Sequence, residues 1–82
     1  MKKEESVCKK RSFEYLGKTI FYFVKEVEWE ERKGKEIATA IMVICDENDN
    51  QTDFFRIEDE RYKVMYAMPN DAKRWYEEYI NG

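Results

Sequence analysis

The sequence predicts an α+β domain: an antiparallel sheet of three to five strands in a β-meander, packed with a C-terminal amphipathic helix. Runs rich in Phe, Tyr, Val and Ile are separated by short turn signals at Gly17, at Gly34 and over residues 46–50. The last run differs, because Ala72, Trp75, Tyr76, Tyr79 and Ile80 recur at helical spacing. With 82 residues, 43% hydrophobic and 16% aromatic, there is material for one core and no room for a second domain. Residues 12–82 are assigned to that single domain and residues 1–11 to a flexible basic N-terminal arm.

The first hairpin joins residues 12–16, which alternate polar and apolar, to the long run 19–31 through a turn at Gly17 and Lys18. A second turn, with Lys33 and Gly34 as its central residues, leads into residues 36–45, rich in β-branched side chains. In a straight ladder across that turn, Trp29 faces Ala38, Val27 faces Ala40, Lys25 faces Met42 and Phe23 faces Ile44. Large meets small down most of this face, as in an interior layer. The two-residue period then puts Ile20, Tyr22, Val24, Ile37, Thr39, Ile41, Val43 and Cys45 on the opposite face, together with Glu26, Glu28 and Glu30. That second face is divided, apolar near Tyr22 and Val24 and acidic beside an isoleucine row; Phe13 and Tyr15 join its apolar end, which is expected to be core, with the acidic end extending past it.

Residues 52–57 read as a fourth strand with Phe54 and Phe55 on opposite faces. Residues 61–68 fit two patterns: Tyr62, Val64, Tyr66 and Met68 alternate as in a strand, while Tyr62, Met65 and Tyr66 share a helical face. Both stay open. Pro69-Asn70-Asp71 starts the helix, with Asn70 as its N-cap and Asp71 in the first turn, where the dipole favours negative charge. Asn81-Gly82 ends it.

The net charge of −3 conceals a segregation. Residues 1–11 hold five bases against two acids, whereas residues 46–60 hold seven acids against Arg56 alone. No run of about 18 apolar residues is present, and Met1-Lys2-Lys3-Glu4-Glu5-Ser6 leads into nothing resembling a signal peptide. A cytoplasmic protein without a membrane segment is expected, with Cys8 and Cys45 as free thiols.

Histidine is absent, which removes the commonest general base and the commonest zinc ligand together. Neither a Ser-His-Asp or Cys-His mechanism nor a Cys₄ or Cys₂His₂ zinc site can be assembled within the chain. Ser12 to Thr19 follows the phosphate-loop pattern except at its first glycine, but bulky interior residues and a following strand contradict the mechanism. Asp46, Asn48 and Asn50 open like a calcium loop, yet Gln51 and Ile57 stand where glycine and a bidentate glutamate are needed. An Asx-rich strand connection is the better reading.

Cys45 has its thiolate disfavoured by Asp46 and Glu47 and reads as a packed structural thiol. Cys8, among Lys9, Lys10 and Arg11, is the more reactive. Phe21-Tyr22-Phe23 resembles sheets that stack unpaired bases, but Lys25 alone supplies charge beside Phe21 and Phe23, and core packing is expected. Glu26, Glu28 and Glu30 share a solvated face with nothing to split their pKa values for acid–base work. The sequence therefore predicts no enzyme and no cofactor.

Three segments, Lys18-Thr19-Ile20-Phe21-Tyr22-Phe23-Val24, the Asp46-Glu47-Asn48-Asp49-Asn50 connector, and Arg56-Ile57-Glu58-Asp59-Glu60-Arg61-Tyr62 leading into Val64-Met65, resemble the small acidic YrzB-like bacterial proteins of unknown function. The resemblance covers about two thirds of the chain and implies a helix after Ile57. It implies no site residues, since that family has no established activity. The basic arm and the aromatic C-terminal helix depart from its pattern.

By elimination, function rests on charged surface. The expectation is a small non-enzymatic protein-binding or regulatory module whose acidic and apolar sheet face takes a basic protein partner. Its candidate contacts are Glu26, Glu28, Glu30, Ile37, Thr39 and Ile41, with Asp46, Glu47 and Asp49 as a neighbouring acidic patch. One alternative is a phage or mobile-element inhibitor, anti-CRISPR-like, of a nucleic-acid-binding host protein. Another is binding of single-stranded nucleic acid through the basic arm, although nucleic acid is not the expected partner. A homodimer through exposed strand edges is a further option.

Overall fold

A computed structural model describes residues 2–4 and 10–82. The elements are β1 (Lys2–Glu4), β2 (Arg11–Tyr15), β3 (Lys18–Arg32), β4 (Lys35–Cys45), β5 (Gln51–Glu60), α1 (Arg61–Tyr66) and α2 (Pro69–Asn81). Among the described residues the five strands form one antiparallel sheet and both helices follow it, an α+β fold with a C-terminal helix. β2 to β5 form the meander. β1 pairs with β3 further along the edge that β2 occupies, so Lys2–Glu4 and Arg11, both within the expected arm, belong to strands.

The hairpin at Lys33 and Gly34 matches expectation. Both residues have positive φ, 50° and 81°, and Arg32 pairs with Lys35, the geometry of a two-residue type I′ loop. The first hairpin is one residue out of place: its loop is Leu16 and Gly17, at φ 50° and 78°, with Tyr15 paired to Lys18. Leu16 is 86% exposed there and bears the steric cost of a left-handed backbone. Leu16→Asn therefore raises stability by roughly 0.5–1 kcal/mol, readable as a higher urea midpoint at unchanged slope.

The largest correction lies in β3. From Arg32 to Glu28 the ladder to β4 follows the straight register, with Trp29 opposite Ala38. Between Glu28 and Lys25 the register shifts, and Glu26 sits at φ 55°. This β-bulge adds one residue to β3, so every residue before it changes face. Val24 pairs with Met42, Tyr22 with Ile44, Lys25 with Ile41 and Phe23 with Val43. The expected pairs Val27/Ala40, Lys25/Met42 and Phe23/Ile44 do not form.

Tyr22 and Val24, expected in the core but on the face that carries the glutamates, thereby join Val27, Ala38, Ala40, Met42 and Ile44 in one core cluster, with Ile20 and Trp29 packed against it. Phe21 and Phe23 lie outside that cluster, against the expectation of core packing. The bulge thus unites two apolar half-strips of opposite parity on the side that the helices cover.

The open stretch 61–68 resolves as helix over Arg61–Tyr66, α1, and Ala67 closes it in a left-handed conformation, φ 43°. The buried Tyr22 hydroxyl donates to the Ala67 carbonyl oxygen at 2.5 Å, fixing the turn between the helices to the centre of β3. α2 begins earlier than expected, with Pro69 in its first turn and Met68 as N-cap, so Asn70 lies inside the helix and does not cap it. Its stripe buries Ala72 and Trp75. Tyr76 packs against Phe13, Tyr15 and Phe55, and Tyr79 stacks on Phe55 at 4.2 Å and 6°.

Candidate functional site

Both helices pack on one side of the sheet, so the other side is the surface that the fold leaves open. The registers of β3, β4 and β5 together order it into rows. Phe23, Val43 and Phe54 form an apolar row, with Phe21 and Cys45 beyond it. Next come Lys25, Ile41 and Arg56, a cationic row around an isoleucine. Glu28, Thr39 and Glu58 follow, then Glu30, Ile37 and Glu60, both acidic.

Exposure decides which members of these rows can touch a partner. Phe54 is 68% exposed, while Val43, between Phe23 and Phe54, is 1% exposed. Thr39 is 5% exposed between Glu28 and Glu58, so it supports the row without presenting itself. Glu26, Lys25, Arg56 and Glu58 are exposed, and Glu28, Glu30, Ile37 and Ile41 are half-buried. A depression of about 190 Å³ is lined by Glu26, Glu28, Thr39, Ala40, Ile41 and Arg56, joining the cationic row to the first acidic one.

The face is therefore less acidic than the sequence suggests. Arg32 donates from Nε to Glu30 at 2.6 Å and lies 3.6 Å from Glu58, which neutralises part of the far acidic end and raises the guanidinium's pKa. Among the described residues, Lys25 and Arg56 enter no ion pair. The sequence could show neither cation's place, because the bulge sets the face of Lys25 and the β4–β5 register sets the row of Arg56.

Asp46, Glu47 and Asp49 belong to a different place. Eight residue steps along the strand, about 27 Å, separate Ile37 from Cys45, and the acidic connector lies beyond Cys45. There the Asp46 carboxylate accepts the backbone N–H groups of Asn50 and Asn48, both at 2.9 Å. These bonds hold its pKa below the ordinary aspartate value, the Asn50 N–H foremost. This is an Asx turn closing the β4–β5 hairpin. Asp49 pairs with Lys10, whose ammonium also lies 5.0 Å from the Phe21 ring centroid. Of the nine candidate residues, six thus share the open face and three share the connector.

On the helix side, the polar residues lock the scaffold. Asp59 Oδ2 accepts Arg74 Nη2 at 2.6 Å and Trp75 Nε1 at 3.1 Å, and Asp59 Oδ1 accepts the Glu60 N–H at 2.7 Å. Burial alone raises the Asp59 pKa, but these donors and the Arg74 charge outweigh it and the net shift is downward. A carboxylate held below its unfolded value contributes stability in full above about pH 4 and loses it as pH falls through the depressed value. The urea midpoint is therefore expected to drop on acidification, and Asp59→Asn to flatten that dependence.

Cys45 is a free, buried thiol, and Cys8 lies outside the described residues. Among the described residues, no cluster of three His, Cys, Asp or Glu side chains is placed to hold a metal ion, and no helix is long and apolar enough to cross a membrane. No protein-family model, no curated protein and no solved structure matches the chain.

Proposed function

We propose that this chain is a small binding module whose open sheet face engages another protein. The partner presents basic side chains to Glu26, Glu28 and Glu58 and an apolar side chain to the Phe23–Val43–Phe54 row. The observation that carries this reading is the placement of Phe54, a large aromatic 68% exposed at the end of an apolar row, on a face that the protein's own helices leave uncovered and that carries Glu28 and Glu58 beyond the Lys25–Ile41–Arg56 row. A regulatory role by occlusion follows from such a surface. The partner's basic groups are engaged by the carboxylates of this face while it is bound.

Capture from the native host tests this when wild type is compared with two surface variants. A specific partner is retained by wild type and by Lys73→Glu on α2, and is lost with Phe54→Ser combined with Glu28→Lys. Equal recovery by all three proteins contradicts the reading. If the captured protein is itself a nucleic-acid-binding protein and is inhibited stoichiometrically, the inhibitor form of the proposal, as found among phage and mobile elements, is supported.

One observation favours a second reading. Phe21, Phe23 and Phe54 lie near Lys10, Lys25 and Arg56, an aromatic and cationic set of the kind that holds single strands by stacking and phosphate contacts. On this second reading nucleic acid would lie along the sheet, with Lys10 as the arm's contribution. The neighbouring carboxylates Glu26, Glu28 and Glu58 repel phosphate, which is why the protein partner is preferred. Binding of a labelled single-stranded oligonucleotide at low salt that is lost in Phe54→Ala reverses the order of the two readings.

A further inference from the structure

β5 forms one edge of the sheet, and half of its backbone polar groups have no strand beside them. The Lys33–Gly34 hairpin fixes which half. Arg32 and Lys35 are its hydrogen-bonded closing pair, so along β4 the residues 36, 38, 40, 42 and 44 direct their backbone groups toward β5. Their partners Asp59, Ile57, Phe55 and Asp53 point inward. The even-numbered residues of β5, among them Phe54, Arg56, Glu58 and Glu60, therefore direct N–H and C=O away from the sheet.

Two of these four outward N–H groups are already occupied. The Phe54 N–H donates to Asp53 Oδ1 at 2.8 Å and the Glu60 N–H donates to Asp59 Oδ1 at 2.7 Å. Both aspartates are held in place from α2, by the Tyr79 hydroxyl on Asp53 at 3.0 Å and by Arg74 and Trp75 on Asp59. Arg56 and Glu58 are left between these capped positions; among the described residues nothing occupies their outward amides, and their exposed side chains carry opposite charge. The open stretch is symmetric about Ile57.

We propose that β5 pairs with β5 of a second copy of this chain, antiparallel, about a twofold axis at Ile57. In that register Arg56 of one copy stands opposite Glu58 of the other, twice, and the two residues exchange four backbone hydrogen bonds. The capped amides of Phe54 and Glu60 meet at the ends and stop the ladder there. Neighbouring registers fail on the same features. Centring on Arg56 or on Glu58 sets like charges face to face, and centring on Phe55 sets Arg56 against a capped amide. The contact shares Glu58 with the open-face binding reading but does not rest on it, and it would double that face into one continuous sheet.

Sedimentation equilibrium over roughly a hundredfold range of concentration, with amide hydrogen exchange on the same samples, tests the pairing. Wild type is expected to pass from monomer to dimer, and the Arg56 and Glu58 amides to gain protection with concentration. Arg56→Glu and Glu58→Arg are each expected to weaken the dimer by about tenfold or more, and the double exchange to restore it. Each position is exposed, so the fold of every variant can be confirmed from its far-ultraviolet dichroism. A monomer at every concentration overturns the proposal. So does a dimer indifferent to both single reversals, or one in which these two amides gain no protection.

Discussion

Trp75→Ala is expected to leave the protein largely unfolded near physiological temperature. The indole is 3% exposed, packed beneath the sheet, and its Nε1 is one of the donors that hold Asp59. Truncating a buried tryptophan costs about 3–5 kcal/mol. A chain of 82 residues has a total stability of roughly 4–12 kcal/mol, so this single loss removes much or all of it. Trp75→Phe keeps most of the packing and loses only the bond to Asp59. It is expected to fold with a urea midpoint lowered by the equivalent of about 1–2 kcal/mol. Urea titration followed by fluorescence of the remaining Trp29 measures both variants.

Deleting Phe23 is expected to be as damaging, although its ring is only half-buried and lies outside the core cluster. The deletion shortens β3 before the bulge, so the residues that precede it slip by one. A ladder that keeps the bulge sets Tyr22 opposite Val43 and turns it out of the core, whereas one that straightens sets Lys25 opposite Met42 and turns Val24 out. Losing the burial of Tyr22 or Val24 costs roughly 1.5–3 kcal/mol, and the first arrangement also loses the bond from Tyr22 to the Ala67 carbonyl while the second adds the cost of burying the Lys25 ammonium. Deleting Glu26 instead removes the extra residue of the bulge itself, so a straight ladder keeps Tyr22 opposite Ile44 and Val24 opposite Met42, and the fold is expected to survive. Glu26→Gly keeps the bulge and relieves a left-handed backbone, so it is expected to gain roughly 0.5–1 kcal/mol. Thermal unfolding by circular dichroism separates the three, with a lost or strongly lowered transition for the Phe23 deletion, a retained one for the Glu26 deletion and a raised midpoint for the substitution.

The contrast between these variants shows what could be read from the chain. The meander, the Lys33–Gly34 hairpin, the opposite faces of Phe54 and Phe55 and the aromatic helix follow from local patterns of two and 3.6 residues. The bulge leaves a trace as well: apolar positions on β3 run Ile20, Tyr22, Val24 and then Val27, Trp29, changing parity at Lys25 and Glu26. A straight strand turns that change into a divided face, and only the β3–β4 pairing shows that it is one continuous core strip. β1 leaves no trace, because Lys2-Lys3-Glu4 has no apolar alternation and pairs with β3 through its backbone.

The candidate site was legible to the same degree. Glu26, Glu28, Glu30, Ile37, Thr39 and Ile41 do share a face, because they lie at or beyond the bulge, where the straight register still holds, or on β4, which is regular there. Phe21, Phe23 and Lys25 lie before the bulge, and a straight strand puts them on the wrong side for that reason alone. Arg56 and Phe54 entered the face through the β4–β5 register, which connects segments that no local pattern relates. Asp46 and Asp49 carry the densest acidity of the sequence, yet their carboxylates serve the connector's own turn and the ion pair to Lys10.

Everything said of the open face depends on which residues of β3 lie on it, and cross-strand nuclear Overhauser effects report that directly. In an antiparallel ladder the non-hydrogen-bonded pairs bring their Cα atoms to about 4.5 Å, close enough for strong contacts between Hα protons. The bulged register predicts such contacts between Tyr22 and Ile44 and between Val24 and Met42. Contacts between Phe23 and Ile44 and between Lys25 and Met42 would instead show an unbroken strand, return Phe23 and Lys25 to the core side, and contradict the proposed binding face.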